Sequence, residues 1–236
     1  MQQTTRIKLA RSYPALTMLA HRVRATVTGK PYFFNRQGPR LRVFQEINAR
    51  IAFDNYIETG TYLGMTTHFL ATTARQRGAQ VHSCEINGAF HSIASSVVGN
   101  MENVHLYHGN SVDFLQSLAA TVSQGINFFY LDAHLGVEVL PLRDELAIIR
   151  DWPNSIIMID DFKVPFDEAF HWDKYNEERE ISLPYIADSI GSGSVYFPSY
   201  KAQEEHVAMP RGYCVISMSE HYNKVLDEIQ LLRRAK

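Results

Sequence analysis

Short apolar, β-branched or aromatic runs recur along the chain at a regular spacing, with amphipathic stretches between them. The runs are Asn55–Thr59, Gln80–Glu85, Asn103–Tyr107, Ile126–Asp132 and Ser155–Asp160. The polar residues at or just past their ends, Glu58, Glu85, Asn110, Asp132 and Asp160, are 27, 25, 22 and 28 residues apart. That is about the length of one strand–helix–strand unit. The unbroken apolar character suits strands covered on both faces rather than strands with one wet side. Met65–Gln76, Ala89–Gly99, Val112–Val122 and Leu140–Asp151 repeat with helical period, and Arg42–Ala52 predicts one more helix before the first strand. Five strands alternating with four helices predict an α/β, doubly wound, Rossmann-like parallel sheet with helices on both faces.

After Asp161 the rhythm breaks. Residues 162–193 are rich in aromatic and charged residues and end in Gly191-Ser192-Gly193, which reads as a lid-like insertion or a plain surface loop. Its aromatics Phe166, Phe170, His171, Trp172 and Tyr175 form either a substrate-covering face or a packed helix face, and Tyr185, Tyr196 and Tyr200 offer similar lid contacts. Two more strands, Ser194–Phe197 and Gly212–Met218, then a polar helix, Asn223–Arg234, complete the expected layout.

Composition adds one feature that the pattern does not show. At 45% hydrophobic and 20% charged, the chain is an ordinary globular protein, and its net charge of −2 looks uninformative. Residues 1–50, however, carry ten Lys/Arg and one acid, Glu46, while residues 51–236 carry thirteen Lys/Arg and twenty-four acids. The chain reads as a basic N-terminal arm, 1–50, on an acidic domain, 51–236. The arm has three destinations: a neighbouring subunit's acidic body, which would make a homo-oligomer, an anionic membrane surface, or an acidic substrate. No aromatic-interleaved basic motif supports nucleic-acid binding. Cys84 and Cys214 each sit in an apolar run and read as small buried residues in a reducing cytosol. No stretch approaches the ~18 apolar residues of a membrane span, and Thr17 interrupts the longest N-terminal apolar run. The expectation is a cytoplasmic protein.

In open α/β sheets ligands bind outside the carboxyl ends of the strands, so the polar strand ends are the candidate chemistry. The first strand runs into Glu58-Thr59-Gly60-Thr61-Tyr62-Leu63-Gly64, where Gly60 permits a tight turn and Gly64 opens the next helix. Tyr62 stands where a dinucleotide fingerprint has its central glycine, and an acid before the turn would repel a pyrophosphate. A ligand bearing an ammonium or sulfonium group suits it better. Glu85, at the second strand end, is placed to accept the two hydroxyls of a ribose. In His108-Gly109-Asn110-Ser111, Asn110 could meet an adenine edge, while Ser111 could equally be a helix N-cap.

The stretches Tyr56–Gly64, Val81–Asn87 and His108–Ser111, in this order, resemble the class I S-adenosylmethionine-dependent methyltransferases. The resemblance implies a seven-stranded sheet of order 3-2-1-4-5-7-6 and a donor held by Glu58, Thr59, Gly60, Thr61, Gly64, Glu85, Asn110 and Ser111. It places strands four and five beside the donor's methyl group, and with them Asp132, His134, Asp160 and Asp161. Carboxylates converging there need positive charge, and hard oxygen ligands favour Mg²⁺, Mn²⁺ or Ca²⁺. One acid at the fourth strand and an acidic pair at the fifth is similar to the metal-dependent O-methyltransferases, nearest the macrocin O-methyltransferase and cephalosporin hydroxylase-like groups. The expectation is an O-methyltransferase acting on a hydroxyl of a sugar or small natural product. Asp132, Asp160 and Asp161 would hold the metal, Asp132 would also border the donor, and His134 would be the general base. Two other classes stay open: an NAD-dependent oxidoreductase and a non-catalytic binding protein on the same fold.

Overall fold

A computed structural model describes residues 33–134, 140–176 and 178–235. The apolar runs become strands β1 (Asn55–Thr59), β2 (Gln80–Glu85), β3 (Val104–His108), β4 (Asn127–Leu131) and β5 (Ser155–Asp160), all mutually parallel. The amphipathic stretches become α2 (Met65–Arg75), α3 (Gly88–Val98), α4 (Ser111–Val122) and α5 (Leu142–Ile149), preceded by α1 (Gly38–Arg50). Among the described residues the sheet has eight strands, in the order β3-β2-β1-β4-β5-β7-β6-β8. β7 (Tyr213–Ser217) and β6 (Ser194–Pro198) are antiparallel additions beyond β5.

The expected order holds, with one strand more than expected. The polar C-terminal segment is a shorter helix, α7 (Glu220–Asp227), after which Leu232–Arg234 pairs with β6 as β8. Leu232, buried at 8% exposure, and the open outer edge of β6 account for that switch.

Side chains alternate along each strand, and the sheet accordingly builds two cores. Tyr56, Phe128, Tyr130, Ile156, Met158 and Val215 face one core, while Ile57, Phe129, Leu131, Ile157, Ile159 and Ile216 face the other. Burial on both faces is what the apolar runs required. Residues of the supposed arm enter the first core: Phe34, Val43, Phe44 and Ile47 are at most 1% exposed and pack with Tyr56 and Phe128. A boundary at residue 50 therefore does not divide the packing; the basic residues before 33 lie outside the described residues, and with them most of the arm.

The insertion also joins the core. Phe170 belongs to the first core, Ile181, Tyr185 and Ile186 to the second, and among the described residues its only helix is α6 (Leu183–Ile186). Its aromatics form no helix face. Tyr196 and Tyr200 are buried, bonded through their hydroxyls to Asp227 and Glu205, and are not lid residues. Cys84 and Cys214 are buried and unbridged. No described helix is long and apolar enough to cross a membrane.

Candidate active site

Backbone contacts draw the carboxyl ends of β1, β2 and β4 together. The Gly60 and Thr61 N–H groups both donate to the Cys84 carbonyl at 3.0 Å, and the Asp132 N–H donates to the Thr59 carbonyl at 2.9 Å. Gly60 has φ +90°, and a Cβ on it would lie 2.5 Å from the Asp132 carbonyl oxygen, so glycine alone allows this approach. Gly64, at φ +79°, starts α2 against Ala94 of α3.

Glu85 braces two turns at once. Its Oε2 accepts the Tyr62 N–H at 2.8 Å and its Oε1 the Asn87 N–H at 2.7 Å. Asn87 in turn caps α3, accepting from the N–H groups of Ala89 and Phe90. Glu58, expected to touch the donor, is instead 1% exposed and turned beneath the loop. Its Oε2 accepts the Thr67 hydroxyl at 2.5 Å and the Ser83 hydroxyl at 2.6 Å. Burial lifts its carboxyl to about 7, against the pull of those two donors. Ser83 also shares a hydrogen bond with Thr61, so the acid anchors the loop from below. At the β3 turn the cap of α4 is Asn110, not Ser111: Asn110 Oδ1 accepts the Asp113 N–H at 2.8 Å and Nδ2 donates to the Asp113 carboxylate. Its side chain is engaged as a helix cap. Ser111 and Thr59 are buried.

The acids of β4 and β5 divide in a way that strand geometry explains. Consecutive strand residues point to opposite faces, so Asp160 and Asp161 cannot both reach one site. Asp160 points with Ile156 and Met158 toward α1, where Arg40 Nη1 meets its Oδ1 at 2.5 Å. Its Oδ2 accepts from Asn35 Nδ2 at 2.8 Å and from the Tyr130 hydroxyl at 2.5 Å. With both oxygens occupied and none of its surface open, Asp160 drops out of the expected metal set. Asp161 leaves the strand in left-handed backbone, φ +51°, and turns to the other side.

There His134 Nε2 lies 3.6 Å from Asp132 Oδ1 and 3.7 Å from Asp161 Oδ2. Asp132, His134 and Asp161 offer ligand atoms within 4.8 Å of one another, the one such group among the described residues. His134 is 2% exposed and its Nε2 has no hydrogen-bond partner. Burial opposes its charge, but the nearby carboxyl groups of Asp161 and Asp132 outweigh it and raise the imidazole to about 9. Burial likewise works against the charge of Asp161, yet His134 and Arg211 hold it below the usual carboxylate range. Burial and the nearby Asp160 push Asp132 well above that range, though its side chain keeps 34% of its surface open.

Three partners of this cluster carried no motif. Arg211 pairs with Asp161 through Nε and with Asp173 through Nη2, and the Tyr175 hydroxyl donates to the His134 carbonyl. Arg211 comes from the turn before β7, fifty residues after Asp161, and only the sheet order brings it near. Glu145 of α5 is 1% exposed, its Oε1 has no hydrogen-bond partner, and burial raises its carboxyl. A lone acid early in a helix carried no signal beyond a favourable dipole position.

Residues 57–162, from β1 to just past the acidic pair, match the family model Methyltransf_24, described as a methyltransferase domain. Among solved structures, an O-methyltransferase from Bacillus cereus in complex with SAH (S-adenosylhomocysteine) shares 17% identity and a TM-score of 0.53, covering 85% of this chain and 89% of that one. TomG, an O-methyltransferase from Streptomyces achromogenes involved in tomaymycin synthesis and in complex with SAM, shares 12% identity and a TM-score of 0.53, covering 80% of this chain and 82% of that one. No curated protein matches the sequence. Over β1 to β5 the chain is thus similar to a methyltransferase-domain family, and its overall fold is similar to that of solved O-methyltransferases.

Proposed function

We propose that this protein moves the sulfonium methyl of S-adenosylmethionine to a hydroxyl oxygen of a small acceptor, a sugar or hydroxylated natural product, with a divalent cation assisting. The observation that carries the reading is the abutment of the glycine turn after β1 on the β4 end that bears Asp132 and His134. Donor loop and candidate acceptor site share a wall. The ribose hydroxyls fall to Glu85, whose carboxylate is held at the β2 end by the Tyr62 and Asn87 N–H groups, and the methionine part to the Gly60 turn. In the transfer the C–S bond breaks as the C–O bond forms, uncharged S-adenosylhomocysteine leaves, and the hydroxyl proton must go to a base. Alignment of donor and acceptor supplies much of the rate.

The residues present fit a cation. The ligand atoms of Asp132, His134 and Asp161 lie within 4.8 Å of one another, a little more than twice a ~2.1 Å metal–oxygen bond. Asp132 and Asp161 would hold it, completed by water, a set suited to Mg²⁺ or Mn²⁺. A cation there would supply positive charge beside the clustered acids, favour a neutral imidazole at His134 and acidify a bound hydroxyl. Neutral His134 is then the group placed to take the hydroxyl proton. Calorimetry with S-adenosylhomocysteine tests the donor half: the wild type binds, and Glu85→Ala weakens binding at least tenfold. Absence of binding by the wild type sinks the reading. Transfer of radiolabelled methyl to a panel of polyhydroxylated acceptors, with EDTA or with Mn²⁺, tests the rest.

A further inference from the structure

The segment before β1 grips the candidate site from behind. Gln37 brackets the backbone of one residue in the turn before β7: its Oε1 accepts the Arg211 N–H at 2.8 Å and its Nε2 donates to the Arg211 carbonyl at 2.9 Å. Arg40 Nη2 donates to the same carbonyl at 2.7 Å, while its Nη1 holds Asp160. Asn35 adds its bond to the other Asp160 oxygen. Gln37 and Arg40 are 1% and 0% exposed, so no water competes for these bonds. The two residues gripped are those whose far sides build the site. Arg211 extends its guanidinium to Asp161 and Asp173. Asp160 Oδ1 accepts the Asp161 N–H at 2.7 Å. Asp161 needs holding, because left-handed backbone is unfavourable for a residue with a Cβ, and a long Arg side chain has many rotamers to lose.

We infer that Asn35, Gln37 and Arg40 are positioning residues, which set where Asp161 and Arg211 stand and so present Asp161 to His134 and Asp132. The inference rests on the reading of Asp132, His134 and Asp161 as the working site. None of the three touches that cluster directly; they act through the Arg211 backbone and through Asp160.

Gln37→Met keeps the shape of the side chain and removes both bonds to Arg211; Gln37→Glu keeps the acceptor half. The first readout is the ¹⁵N spectrum of the histidine rings at fixed pH, with the His134 signal assigned through His134→Gln. In Gln37→Met the His134 signal moves while those of His82 and His105, stacked together on β2 and β3, stay in place. Gln37→Glu gives a smaller displacement. The second readout is binding of Mn²⁺ alone and of S-adenosylhomocysteine alone, below the melting temperature of each variant. Outer partners of metal ligands are worth ten- to a hundredfold in affinity, so Gln37→Met binds Mn²⁺ at least tenfold more weakly with donor affinity within twofold of wild type. An unmoved His134 signal in folded Gln37→Met overturns the inference, as does an equal loss of both affinities, which would mean general loosening. A wild type that binds no Mn²⁺ while the His134 signal still responds removes the cation from the proposed function and leaves the positioning role standing.

Discussion

The Arg40–Asp160 pair offers the sharpest test of how this site is assembled. Arg40 is fully buried, and its charge is met by Asp160 on one side and by the Arg211 and Gly212 carbonyls on another. Arg40→Met removes the cation and leaves the carboxylate with Asn35, Tyr130 and the Asp161 N–H. Breaking a buried pair from one side costs about 3–5 kcal/mol, because the surviving charge stays desolvated. The three remaining donors to Asp160 place the expected value toward the lower end, about 3 kcal/mol. For a chain of this size that lowers the melting temperature by about 6–12 °C, at ~2–4 °C per kcal/mol. Asp160→Asn alone also destabilises, since it strands Arg40, but the double variant leaves no buried charge at this pair and recovers part of the loss. Urea titrations followed by circular dichroism, arranged as a double-mutant cycle, should give a coupling energy of about 2 kcal/mol or more. A coupling below ~0.5 kcal/mol would refute the argument. So would Asp160→Asn abolishing Mn²⁺ binding in a folded protein, because that is the behaviour of a ligand.

Glu58 makes stability depend on pH in an unusual direction. The unfolded chain loses this proton near 4.5 and the folded chain near 7, so between those values the folded state binds more protons and stability falls as pH rises. The fall is at most about 3.5 kcal/mol, at ~1.4 kcal/mol per pH unit, and flattens above 7. Glu58→Gln keeps an acceptor for Thr67 and Ser83 and should remove that slope when urea midpoints at pH 5 and pH 8 are compared. Gly60→Ala puts a Cβ against the Asp132 carbonyl in left-handed backbone, and should weaken S-adenosylhomocysteine binding more than tenfold by calorimetry; unchanged affinity would show that the turn is not part of the donor site. Asp161→Asn in a folded protein should lower Mn²⁺ affinity while leaving S-adenosylhomocysteine affinity within twofold, and a loss of both would argue against separate donor and cation subsites.

Much of the sheet was legible because a parallel strand buried on both faces has to be apolar throughout. β1, β2 and β5 begin and end where the runs do. β8 was not legible: three residues, Leu-Arg-Arg, have no period of their own and become a strand only because β6 leaves an edge open. The division of Asp160 from Asp161 follows from strand alternation, yet their adjacency in sequence suggested a single site. What each one meets could not be read at all.

Local chemistry along the chain determined the fold class, the glycine turn and the polar residue at each strand end, since each depends on a few neighbouring residues and a fixed period. Tertiary structure alone decided the partners. Arg40 reaches Asp160 across 120 residues, and Gln37 reaches Arg211 across 174. These contacts come from packing α1 and the turn before β7 against the same sheet end. The first fifty residues looked like a separate basic arm because charge can be counted along a sequence. Burial, which turned Arg40 from a surface charge into part of the site's support, is a property of the folded chain.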